Sequence, residues 1–144
     1  MILSMAAAKI ALGVSSFSNS RRLLRGDKNL LSYEWIRFSS LKGIRVIGGM
    51  SKILNYFIND VAPEEIMTYC DSDWSNGHSY EKLDFEVITQ PQESFYYIDK
   101  TTYERLSIKK IRRMYSSLSP DFLNKNFYYL RTKGNYKFLR RFPF

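Results

Sequence analysis

The sequence predicts a mixed α/β (α+β) fold with one parallel strand pair, followed by a basic C-terminal extension. Leu30–Ser40 is rich in aromatic and branched residues, which is typical of a buried central strand. Ile66–Cys70 is a short apolar strand, and the segment between the two has helical periodicity. Because a strand–helix–strand crossover joins parallel strands, these three segments predict the parallel pair.

The composition fits one folded domain with an appendage. The chain has 144 residues, of which 44% are hydrophobic, so a core can form. The sequence holds no apolar run of the ~18 residues that a membrane span needs, so we expect no membrane partner. The single cysteine, Cys70, excludes an internal disulfide and indicates a reducing, cytoplasmic setting. The composition leaves the oligomeric state open.

Two segments before the central strand predict a strand and a turn. Ile10–Ser18 reads as a strand, and Asn19–Asn29 is a polar region with a Gly-Asp pair that suits a hairpin connection. After the central strand, the apolar residues Ile53, Leu54, Phe57 and Ile58 follow Met50 at helical spacing. They predict an amphipathic helix that ends before Pro63.

The remaining segments predict shorter elements. Ser75 is expected to cap a short helix through Leu83. Residues 85–89 alternate as a strand, for which Ser94–Asp99 beyond Pro91 is the predicted partner. The C-terminal third predicts a basic helix at Ser107–Tyr115 and a hairpin of Phe127–Leu130 with Tyr136–Leu139.

The positive charge is concentrated at the C-terminal end. Residues 1–99 contain 10 Lys/Arg and 12 Asp/Glu, whereas residues 100–144 contain 12 Lys/Arg and 2 Asp/Glu. The second segment therefore carries a balance of +10. We take residues 1–99 as the core domain and residues 100–144 as the basic extension.

The loop between the central strand and the helix predicts an anion site. Glycines let the backbone approach a ligand, and free N–H groups at a helix start favour an anion such as pyrophosphate. A tight turn without a ligand is the alternative explanation of Gly48-Gly49. The candidate cofactor-binding residues are Arg45, Val46, Gly48, Gly49, Met50 and Ser51.

The order of these parts resembles the GNAT superfamily of acyl-CoA N-acyltransferases. Arg45 and Gly48 match the family's Q/R-x-x-G-x-G/A loop, and Tyr80–Phe85 matches the Y-E-K-L-G-F run that commonly ends its later helix. The resemblance covers about Ile10 to Ile98. Met50 and Asp84 stand where the family usually has Gly or Ala and Gly. The resemblance implies a mixed, mostly antiparallel sheet and acetyl-CoA or another acyl-CoA as cofactor.

A second likeness joins three segments of the chain. Tyr33–Phe38, Val46–Lys52 and Tyr69–Gly77 are similar to a phage family. Its domain forms the C-terminal part of homing endonucleases whose nuclease part is like very-short-patch-repair enzymes. Stand-alone versions are common in bacteria of the Bacteroides group. This chain has no nuclease part, and we expect it to lack the first strand and the acceptor-pocket helices of GNAT enzymes.

The GNAT resemblance implies three further site residues. Glu34 lies in the central strand, where these enzymes often place the base that deprotonates the acceptor amine; a salt bridge to Arg37 or Arg45 is the alternative. Tyr80 matches the tyrosine that often protonates the leaving thiolate, although packing would also explain it. Asn76 corresponds to an asparagine that often contacts CoA.

The extension predicts contact with nucleic acid. Basic side chains neutralise phosphates, and aromatic side chains stack on bases. The alternative is a solvated face whose aromatics pack onto the sheet. The candidate residues are Lys109, Lys110, Arg112, Arg113, Arg131, Lys133 and Lys137.

Two functions follow from these features. The first is an acyl-CoA-dependent N-acyltransferase-like protein of phage or mobile-element origin, either active or inactive. The second is a non-enzymatic DNA-binding accessory domain related to the C-terminal domains of homing endonucleases.

Overall fold

A computed structural model of the protein describes residues 1–7, 10–116 and 118–143. The helices are α1 (Gly49–Val61), α2 (His78–Glu81), α3 (Ile108–Met114) and α4 (Pro120–Asn126). The strands are β1 (Ile2–Ala7), β2 (Ile10–Phe17), β3 (Arg21–Arg25), β4 (Lys28–Ser40), β5 (Glu65–Asp71), β6 (Glu86–Thr89), β7 (Ser94–Asp99), β8 (Arg105–Leu106), β9 (Phe127–Thr132) and β10 (Asn135–Arg141). None of the described helices is long and apolar enough to cross a membrane.

Seven strands form the main sheet. Its order is β1-β2-β4-β5-β10-β6, and β3 pairs with the first half of β4 through the predicted turn at Gly26. The β4–β5 pair is parallel and the other pairs are antiparallel. The structure thus confirms a mixed α+β fold with a mostly antiparallel sheet and one parallel pair.

The predicted strand–helix–strand unit is present as β4, α1 and β5. Helix α1 buries Ile53, Leu54 and Phe57, three of the residues whose spacing predicts the helix. It ends at Ala62, whose φ of 47° is left-handed and precedes Pro63. The 13 residues of α1 therefore cover one face of the main sheet, which we call the helix face.

Aromatic side chains fill the core between α1 and the main sheet. Phe17 stacks on Phe57 with ring centroids 3.8 Å apart, and Tyr80 packs edge-on to Trp35 at 5.7 Å. The Trp35 indole N–H donates to the Ser15 hydroxyl, which satisfies its one polar group in the core. Phe138 of β10 is fully buried in the same cluster.

A second, three-stranded sheet has the order β8-β7-β9. Its smaller core contains Leu106, Ile111 and Phe127, with α3 and α4 packed on one face. The Ser107 hydroxyl accepts from the Lys110 N–H and caps α3, as the predicted helix requires. Helix α4 is capped in the same way by Ser119.

The predicted hairpin of Phe127–Leu130 with Tyr136–Leu139 is wrong. Strand β9 pairs with β7, whereas β10 enters the main sheet between β5 and β6. The pairing of residues 85–89 with Ser94–Asp99 is wrong for the same reason, since β6 pairs with β10. The segment 100–144 thus contributes strands to both sheets instead of following them.

Gly134 is the point at which the chain crosses from one sheet to the other. Its φ is 92°, and a Cβ there would lie 2.1 Å from the Gln92 carbonyl oxygen. Its own carbonyl accepts from the Ser72 N–H at 3.0 Å, which ties the crossing to the end of β5. The glycine that suggests a hairpin turn is therefore used for a close backbone approach.

Candidate functional site

The parallel strands β4 and β5 separate toward their carboxyl ends. They pair only from Ser32–Trp35 against Glu65–Thr68. Beyond this point β4 continues beside β2 to Ser40, while β5 continues beside β10 to Asp71. The separation leaves an opening at the carboxyl ends of the parallel pair, where ligands of α/β sheets commonly bind.

A bulge in β4 changes which of its side chains project from the helix face. Ser16 of β2 faces Arg37 and Phe17 faces Trp35, so Ile36 has no partner in β2. The extra residue returns Phe38 and Ser40 to the helix face, where both contribute to a cleft. An irregularity in the strand thus shapes the site.

The start of α1 provides N–H groups without partners. Gly48 is the N-cap, with a left-handed φ of 70° and no side-chain cap bond. The Gly49 N–H donates to the Val46 carbonyl at 3.1 Å, whereas the N–H groups of Met50 and Ser51 find no acceptor among the described residues. The first turn of α1 contains no acidic side chain. Free N–H groups and the helix dipole together favour an anion here.

These features line a cleft of about 470 Å³. All six predicted cofactor-binding residues of the loop line it, and no acidic side chain is among the described lining residues. Arg45 and Lys82 supply two exposed positive charges. The described lining residues are Phe38, Ser40, Ile44–Ser51, Ser79, Lys82 and Leu83.

The sequence reasoning missed the contribution of Ser79, Lys82 and Leu83. Ser79 and Lys82 are three residues apart, a spacing that places two side chains on one helix face. From that spacing the sequence could have predicted that Ser79 and Lys82 lie on one surface, but not that this surface faces the loop before α1. By contrast, Asn76 does not line the cleft, and its side-chain oxygen accepts from the His78 N–H at 3.2 Å. Ser75 does not cap α2, because Gly77 occupies the N-cap position.

Met50 stands where the GNAT loop usually has a small residue. Its side chain is half-buried and packs against the main core while forming part of the cleft wall. The Met50 side chain, which is larger than Gly or Ala, therefore lies partly in the core and partly in the cleft wall.

The two predicted catalytic residues lie on opposite faces of β4. Tyr80 packs on Trp35 at the helix face, and Glu34, the neighbour of Trp35, projects to the other face. The Glu34 carboxylate lies 3.9 Å from the guanidinium of Arg21 and is 26% exposed. Its ion-pair partner is thus Arg21 instead of Arg37 or Arg45. Glu34 is also two positions before the bulge, close to where β4 and β5 separate.

The predicted nucleic-acid residues do not form one surface. Lys109, Lys110, Arg112 and Arg113 are exposed on α3, on the side away from the small sheet. Lys110 pairs with Glu104, and Arg131 pairs with Glu93, which raises the pKa of the Arg131 guanidinium further. Lys137 lies on the main sheet with its ammonium 5.8 Å above the Tyr69 ring. Lys133 follows β9, and its backbone N–H donates to the Asp73 carboxylate at 3.1 Å.

Comparison with known proteins adds no family assignment. No protein-family model matches the sequence, and no curated protein matches it.

Proposed function

We propose that the cleft beside α1 binds an acyl-CoA thioester and that the chain is an N-acyltransferase-like protein, active or inactive. The observation that carries the proposal is the position of the unpaired N–H groups of α1. Met50 and Ser51 line the same cleft as Phe38 and Ser40 of β4, which lie beyond the point where β4 and β5 stop pairing. Met50 and Ser51 would donate to the pyrophosphate, and Arg45 and Lys82 would neutralise its charge.

The opening suits the extended arm that follows the pyrophosphate. Where two strands separate, the facing N–H and C=O groups lose their ladder partners. A ligand arm with its own amide groups can bond to such an edge as an added strand does. The edges concerned are residues 36–40 of β4 and 69–71 of β5. The acyl group would then lie where β4 and β5 stop pairing, with Tyr80 on one face of the sheet and Glu34 on the other.

Acetyl-CoA binding tests this proposal directly. Acetyl-CoA at 100 times its dissociation constant should stabilise the fold by about 2.7 kcal/mol in a thermal scan. Gly48→Val should abolish the stabilisation, because a branched side chain at positive φ disturbs the loop. Gly43→Val is the matched control: Gly43 has a φ of 78°, is equally unobstructed and does not line the cleft. Millimolar acetyl-CoA without any shift would contradict the proposal.

Chemistry at the site has its own test. If the protein transfers an acyl group, Glu34→Gln and Tyr80→Phe should each lower turnover by roughly 10²–10⁴-fold while acetyl-CoA still binds. Unchanged turnover in both variants would remove these residues from the mechanism. Binding without turnover in the native chain would indicate an inactive member of the class.

A second candidate function, nucleic-acid binding, is favoured by the charge of the small sheet and its helices. Residues 90–134 hold nine Lys/Arg and four Asp/Glu, a balance of +5. Lys109, Arg112 and Arg113 are exposed and form no salt bridge within the described residues. An electrostatic contact of about six phosphates would lose roughly 10³-fold in affinity between 50 and 200 mM salt. Duplex DNA binding that does not respond to salt would contradict it.

A further inference from the structure

The small sheet has one face that neither of its helices covers. Helices α3 and α4 pack on the face with Tyr97, Leu106 and Phe127. Strand alternation and register place Tyr96, Ile98, Arg105, Tyr128 and Leu130 together on the other face. We call these five residues the open face.

Two aromatic rings of the open face each lie close to a cation. The Arg105 guanidinium lies 3.6 Å above the centroid of the Tyr96 ring. The Lys100 ammonium, which donates to the Asn124 carbonyl of α4 at 2.6 Å, lies at the edge of this face, 5.0 Å from the centroid of the Tyr128 ring. The described strand residues that project from this face include no carboxylate. Tyr128 is 56% exposed, so much of its surface is available to a partner.

A polar cavity of about 270 Å³ lies at the edge of the open face, next to the main sheet. Tyr96 and Arg105 form one wall, and side chains with amide or hydroxyl groups form most of the rest. Asp71 is the one carboxylate among the described lining residues. Such a mixture of donors and acceptors suits the hydrogen-bonding edge of a nucleobase better than it suits a phosphate.

We propose that the open face binds single-stranded nucleic acid. One base stacks on Tyr128 and another on the Arg105 guanidinium above Tyr96, while Lys100 and Arg105 attract the phosphates. A duplex would hide the base faces that these rings need. This inference rests on the second candidate function and is independent of the cleft beside α1. The proposed nucleic-acid contact lies on the face of the small sheet opposite the one that packs against α3 and its basic residues.

Tyr128 and Tyr129 provide a matched pair of test positions. They are adjacent in β9, similarly exposed at 56% and 60%, and on opposite faces of the sheet. Tyr129 stacks on Phe95 with ring centroids 5.7 Å apart, away from the open face. Valine at either position keeps a strand-forming side chain and removes the ring.

The test is fluorescence anisotropy on the full chain at low salt. The probes are a DNA strand of about 15 nucleotides, the RNA of the same sequence and the corresponding DNA duplex. We expect at least one single strand to bind more tightly than the duplex. Tyr128→Val should weaken that binding by roughly 5- to 150-fold, and Tyr129→Val should leave it nearly unchanged.

Three results would overturn the inference. The first is binding to neither single strand, and the second is an equal effect of the two tyrosine substitutions. The third is tighter duplex binding that is lost with Lys109→Ala and Arg112→Ala but retained in Tyr128→Val. The third result would leave the second candidate function intact and place it on α3. Circular dichroism checks the fold of each variant, and Arg105→Gln replaces Tyr128→Val as the test if the latter unfolds.

Discussion

The two sheets differ in how they use their aromatic side chains. The main sheet buries Trp35 and Phe138 in a cluster with Phe57 of α1, and Phe38 is the one aromatic residue among the described lining residues of its cleft. The small sheet and α3 share a core of three buried residues, and the sheet leaves Phe95, Tyr128 and Tyr129 exposed. Aromatic content alone therefore does not distinguish a core from a surface.

The two regions also differ in net charge. Residues 90–134 carry +5, whereas the 99 other residues contain 13 Lys/Arg and 10 Asp/Glu and carry +3. Within the described residues no strand of one sheet pairs with a strand of the other. Positive charge is therefore denser around the small sheet, which is the part of the molecule to which the proposal of nucleic-acid binding applies.

The largest effect on stability is expected from truncating one buried core residue in each sheet. Phe138→Ala should lower the free energy of unfolding by about 3–5 kcal/mol, because the ring is fully buried. Phe127→Ala should cost less, since the smaller core around it can relax. Urea denaturation followed by tryptophan fluorescence measures the change, with Trp35 as reporter because Trp74 is 89% exposed. A Trp35 transition that Phe127→Ala leaves unchanged would show that the two cores unfold separately.

Gly77 and Gly43 separate steric crowding from backbone strain. Both have a φ of 78°, but a Cβ at Gly77 would lie 2.1 Å from the Phe138 ring, whereas nothing lies within 4 Å at Gly43. Alanine at either position strains the backbone by about 1–2 kcal/mol. Gly77→Ala should lose a further ~1–3 kcal/mol, because the buried ring has no room to move. If both alanine variants have the same stability, the close approach of Gly77 to the core is refuted.

The smallest effect on stability is expected at Asp99, which lies in a turn of the small sheet. Its Oδ1 accepts from the N–H groups of Thr102 and Thr101, both at 2.8 Å. These bonds lower the pKa of the carboxyl below its ordinary value. The stabilisation is therefore present above the unfolded-state pKa and is lost as pH falls through the folded-state pKa.

An NMR titration of the Asp99 carboxyl measures that pKa. Asp99→Asn keeps the acceptor oxygen without the charge, so the stability of the variant should lack this part of the pH dependence. A carboxyl that titrates at or above the ordinary value for aspartate would contradict the hydrogen-bonded turn.

The sequence alone was enough for the elements whose signals are local. Helical spacing after Met50 predicted α1, the aromatic and branched run Leu30–Ser40 predicted β4, and the short apolar run Ile66–Cys70 predicted β5. The glycine loop of the candidate site is also a local feature, since Gly48 is the N-cap of α1 and Gly49 is its first residue. Backbone preferences act between near neighbours, so such features can be read from short segments.

Only the tertiary structure decided which strands pair and which surfaces meet. The sequence around Gly134 fits a hairpin, yet β10 gains more by inserting between β5 and β6, where Phe138 reaches the main core. The same long-range packing brings Lys82 to the cleft and leaves Tyr128 on an uncovered face. Strand pairing and burial depend on contacts between distant segments, and a local pattern of apolar residues is compatible with several partners.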